Sequence, residues 1–134
     1  MLRPMLSVVN RVSFARRLSS DRWDQLGVVL SGLCAVHCLV LPIMLLALPV
    51  WNTVHFVHEA AHPIMAGLVL PVTLKALRNN PCGTPLLLRG LGLIWIAIPV
   101  HAFVGETAGL LLTLVGSAML IVGHRGNMQC RKTA

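Results

Sequence analysis

An all-α integral membrane protein, a bundle of four transmembrane helices with both termini cytoplasmic, follows from three features of this 134-residue chain. Charged residues make up only 11% of it, against roughly 25% in soluble domains, so whole helices lack the polar face that water demands. Apolar residues reach 56% and gather into four stretches long enough to cross a bilayer. The basic residues stand between those stretches rather than on a binding face, which removes nucleic acid as a partner despite a net charge of +7.

The elements follow in order. Residues 1–23 form a basic juxtamembrane arm carrying Arg3, Arg11, Arg16, Arg17 and Arg22. Residues 1–20 contain no acid and resemble an organellar transit peptide, but topology alone accounts for the arginines, and Leu2, Met5, Leu6, Val9 and Val12 suit a surface on the inner leaflet. The first apolar span starts too late and runs too long for a cleavable signal peptide. A four-helix domain covers 24–125. Its first span, 26–50, is bracketed by Trp23 and Trp51, as interfacial aromatics require. The second, 54–77, opens on histidines and Glu59. The third, 86–104, carries Arg89 close enough to its end to snorkel. Gly105-Glu106-Thr107 reverses the chain into the fourth, 108–124, and a basic tail occupies 126–134.

Lysine and arginine fix the expected orientation. They occur in the N-terminal arm, around the connection between spans two and three (Lys75, Arg78, Arg89), and in the tail (Arg125, Arg131, Lys132). The other two connections have none. The positive-inside rule therefore puts both termini and the middle loop on the cytoplasmic side, with membrane lipid as an obligatory partner.

Two constellations carry candidate chemistry. The first is Cys34, His37 and Cys38. On a helix these side chains fall within about 100° of arc, near the middle of span one. Pro42 has no N–H for the Cys38 carbonyl, so a kink is expected there. Two soft thiols and an imidazole at the midplane make a stopover for a thiophilic cation. The plain alternative is that both cysteines pack as small hydrophobes.

The second is the stripe His55, His58, Glu59 and His62, with His101 and Glu106 expected at the same outer end. Within it, His58-Glu59-Ala60-Ala61-His62 matches the H-E-x-x-H pattern of zinc proteases. Pro63 turns His62 away from helical dihedrals, no aspartate follows Asp24, and the chain has little room for a substrate groove. A polar stripe facing the bundle or water is the simpler reading, and no enzymatic activity is expected. Cys82 falls in the inner loop and Cys130 in the inner tail. The chemistry thus sorts by depth: imidazoles and carboxylates outside, a thiol pair midway, single thiols inside.

Gly32-Leu33-Cys34-Ala35-Val36-His37-Cys38-Leu39-Val40-Leu41-Pro42, a second helix opening on Glu and His, and the tail Asn127-Met128-Gln129-Cys130-Arg131 resemble the MerC-type mercury-transport family. The resemblance spans about 24–132. It implies a bacterial inner-membrane protein that carries Hg(II) inward for cytoplasmic reduction, with no tightly bound cofactor. By that match Cys34 and Cys38 are the membrane thiols, and Cys130 is a cytoplasmic thiol facing a thiol acceptor. Because His37 adds a nitrogen ligand, Zn(II) or copper homeostasis through the same residues is the alternative.

Overall fold

The computed structural model describes residues 21–40, 43, 51–79 and 82–133, with the backbone alone for 51–59. The described chain is all helical. Helix α1 is Asp21–Val40. It is followed by α2, Trp51–Asn79; α3, Thr84–Phe103; and α4, Glu106–Thr133. Among the described residues these four helices are long and apolar enough to cross a membrane. The basic arm 1–20 and Pro42 lie outside the described residues.

Two expectations are corrected. Helix α2 runs unbroken through both Pro63 and Pro71, so His62 is helical in spite of the proline after it. Apolar spans tolerate this when neighbouring helices pack against the loosened turn, and here the His62 ring stacks on His101 of α3. Helix α4 continues beyond His124 to Thr133. Its inner face stays occupied there, because Asn127 and Arg131 extend the stripe of His124 and bond to α1.

The packing of α1 is small and polar inside and apolar outside. On α1 the buried residues are Asp24, Gly27, Ser31, Cys34 and Cys38, spaced three and four apart, whereas Leu26, Val29, Leu33, Val36 and Val40 are exposed. Such a surface is suited to hydrocarbon and unsuited to water. The apolar core is small: Ala66 and Val69 of α2, Leu87, Leu91 and Ile94 of α3, and Leu120 of α4.

Helices α3 and α4 are joined by small residues at heptad spacing. A Cβ at Gly90 would lie 2.8 Å from the Gly116 carbonyl oxygen, and one at Gly116 would lie 2.9 Å from that of Gly90. Gly83 approaches Gly123 in the same way, and Gly109 approaches His101. Where lipid removes the hydrophobic drive between helices, such backbone contact is what holds a pair together. The reversal between them is tighter than expected. Val104 and Gly105 both donate to the Val100 carbonyl, at 2.9 and 3.1 Å, and Gly105 takes φ 140°, a conformation open to glycine. Glu106 already belongs to α4.

Candidate metal site

The thiols of α1 come together as the spacing implies. Cys34 is 5% exposed and Cys38 1%, both are free, and their thiols interact with each other. The Ser117 hydroxyl of α4 lies beside Cys34. His37 turns elsewhere. Its ring centroid is 6.2 Å from that of His62, edge to face. Adjacent residues on a helix point about 100° apart, so the thiol face meets α4 at Ser117 through Cys34 while His37 faces α2. Among the described residues no group of three His, Cys, Asp or Glu stands ready to hold a metal ion.

His62 in turn stacks on His101, with centroids 5.2 Å apart and planes at 23°. Imidazoles from α1, α2 and α3 therefore form a ladder that starts level with the Cys38 end of the thiol pair. Glu106 is exposed near the reversal at the same end. The side chains of His55, His58 and Glu59 lie outside the described residues.

Cys82 and Cys130 are not separate. They form a disulfide across 48 residues of sequence, joining the chain just before α3 to the last turns of α4. The expectation of a lone thiol on a free tail is therefore replaced by a disulfide at a helix end. A groove of about 460 Å³ opens beside it, lined in part by Cys82, Gly83, Leu86, Arg125 and Gln129.

Sequence reasoning missed the polar cluster at that same end. Asp24 is fully buried on α1. Its Oδ1 accepts from His124 Nδ1 at 2.9 Å and from Asn127 Nδ2 at 3.2 Å, and its Oδ2 accepts from Arg131 Nη2. Arg131 also pairs with Asp21 at 2.9 Å. Asn127 Oδ1 accepts the Gly83 N–H at 2.6 Å, so one side chain ties α1, α4 and the turn before α3 together. A signal was present. His124, Asn127 and Arg131 make a stripe of donors on one helix, and only four acids exist in the chain to receive it.

A helical protein built to cross a membrane four times, with its polar groups turned inward around a buried dithiol, is the class that these features define. Within that class the chain belongs to the MerC mercury resistance protein family, which matches residues 24–129. No curated protein and no solved structure gives a significant match. Membership in a family of membrane resistance proteins lends nothing to the zinc-protease pattern at His58-Glu59-His62.

Proposed function

We propose that this protein carries a thiophilic cation, Hg(II) foremost, through the bacterial inner membrane by way of Cys34 and Cys38. The observation that carries the reading is the pair of free, buried thiols one helical turn apart on the inward face of α1, in a chain of the mercury resistance family. One thiol receives the ion while the other still holds it, so the cation keeps a soft ligand as it passes between the two. Positive-inside topology puts both termini and the Cys82 connection in the cytoplasm, with the histidine ladder outward. His55, His58, Glu59, His62, His101 and Glu106 then attract the ion, and Cys130, once its disulfide to Cys82 is reduced, faces a cytoplasmic thiol acceptor.

A second reading has its own support. The ladder of His37, His62 and His101 favours nitrogen-liganded ions, so zinc or copper homeostasis is the alternative. Metal accumulation in cells expressing the chain separates the two and tests the first. Mercury uptake should exceed that of zinc and copper, and Cys34→Ser or Cys38→Ser should each remove most of it at matched membrane expression. Near-normal uptake in both variants would return these cysteines to a packing role.

A further inference from the structure

The thiol pair lies deep, and its distance from the open end of the bundle poses a problem. Thirteen positions separate Cys34 from Asp21, or about 20 Å along a helix. Asp21 has a side chain 44% exposed, and Cys82 beside that end is also exposed. No ligand exchange spans such a gap in one step.

The seam between α1 and α4 shows what stands in it. The two helices run antiparallel in a register set by their contacts. Cys34 lies beside Ser117, Gly27 against the His124 ring, and Asp24 on Asn127. Between Cys34 and Gly27 the inward residue of α1 is Ser31, whose buried hydroxyl is a hard, weak donor. Asp24 already accepts three donors, and Asn127 Oδ1 is taken by Gly83. His124 is different. It is fully buried, its Nδ1 is bound to Asp24, and its Nε2 has no hydrogen-bond partner among the described residues. It lies seven positions from the level of Cys34, about 10 Å, roughly halfway along the gap.

A carboxylate only accepts, so Asp24 fixes the proton on Nδ1 and leaves Nε2 with its lone pair. This is how metal-binding histidines are oriented by carboxylates. Gly27 supplies the room, since a Cβ there would sit 2.3 Å from Nε2. An imidazole also binds a soft ion less firmly than a thiolate pair, which suits a station that must let go.

Resting on the transport reading above, we propose that His124, oriented by Asp24, is an intermediate ligand that takes the cation from Cys34 and Cys38 and passes it toward the Asp21–Cys82 end. A small separation of α1 from α4 at Gly27 admits the ion to Nε2. Asp24 acts through His124 and is a positioning residue.

The test uses the full chain in proteoliposomes that enclose a dithiol chelator, with Hg(II) supplied as its complex with a hydrophilic monothiol. Two quantities are read: protection of Cys34 and Cys38 from alkylation, which reports loading, and the rate of mercury delivery inside. His124→Gln should leave loading unchanged and slow delivery by about tenfold or more, the range found when metal-site partners are removed. His124→Cys, which restores a metal-binding donor, should recover delivery. Asp24→Asn should slow delivery in the native background and have no further effect on His124→Cys. Normal delivery by His124→Gln overturns the proposal, as does a loss that His124→Cys does not repair, which would leave His124 a packing or proton-handling residue. Normal delivery by Cys34→Ser and Cys38→Ser instead overturns the transport reading itself.

Discussion

Replacing Asp24 with alanine should destabilise the bundle by about 3–5 kcal/mol, the usual cost of breaking a buried ion pair by removing one partner. The local accounting reaches the same range. Alanine leaves His124 Nδ1 and Asn127 Nδ2 without their acceptor, and both side chains are fully buried. Each stranded donor costs roughly 1–3 kcal/mol. Arg131 adds little, because it keeps Asp21 at 2.9 Å and retains some exposure. The contrast is Asp21→Ala. That carboxylate is 44% exposed, and losing its pair with Arg131 should cost no more than about 1 kcal/mol. Unfolding of the purified protein in detergent, followed by loss of helical circular dichroism, measures both. The alanine at position 24 should shift the folding constant by about two to three and a half orders of magnitude at about 1.4 kcal/mol per tenfold, and the one at 21 by less than one. Equal shifts in the two variants would refute the reasoning, since Asp24 is buried and leaves buried donors stranded whereas Asp21 is partly exposed and leaves none.

Gly116→Leu should separate α3 from α4 and cost at least about 1–3 kcal/mol of overpacking, because the Gly90 carbonyl 2.9 Å away belongs to the backbone and cannot swing aside. Gly92→Ala, with nothing within 4 Å, should instead be neutral or stabilising by about 0.5–1 kcal/mol in the same unfolding assay. In denatured, unreduced protein only Cys34 and Cys38 should react with a maleimide, and all four cysteines should do so after reduction; four without reductant would mean that Cys82 and Cys130 are not joined. A reporter fused after Ala134 or near Cys82 should read cytoplasmic, and one near Asn52 external; the opposite result for Cys82 would reverse the direction proposed for the ion. Glu59→Gln should weaken mercury uptake at low concentration and matter little at saturation, since it lowers local accumulation without touching Cys34 or Cys38.

What the residues alone determined is whatever depends on composition and on position along a single helix. Four apolar stretches with few charges have no soluble solution, so four helices of membrane-spanning length were legible without a fold, although α4 runs past its expected end to Thr133. Cys34 and Cys38 lie four apart on one helix, and that spacing fixes their common face in any packing. What only the tertiary structure decided concerns which helix each face meets. His37 sits beside Cys38 in the chain but pairs with His62, because a step of about 100° is enough to change neighbours. Cys82 and Cys130 are 48 residues apart, and no local rule joins them; they meet because α3 and α4 pack antiparallel along glycines. Asp24 is more than a hundred residues from Arg131. Read singly, one is an acid at a helix start and the other a basic residue near a terminus. Only the antiparallel register of α1 and α4 makes them one buried cluster, since periodicity places a residue on its own helix and carries no information about the helix opposite.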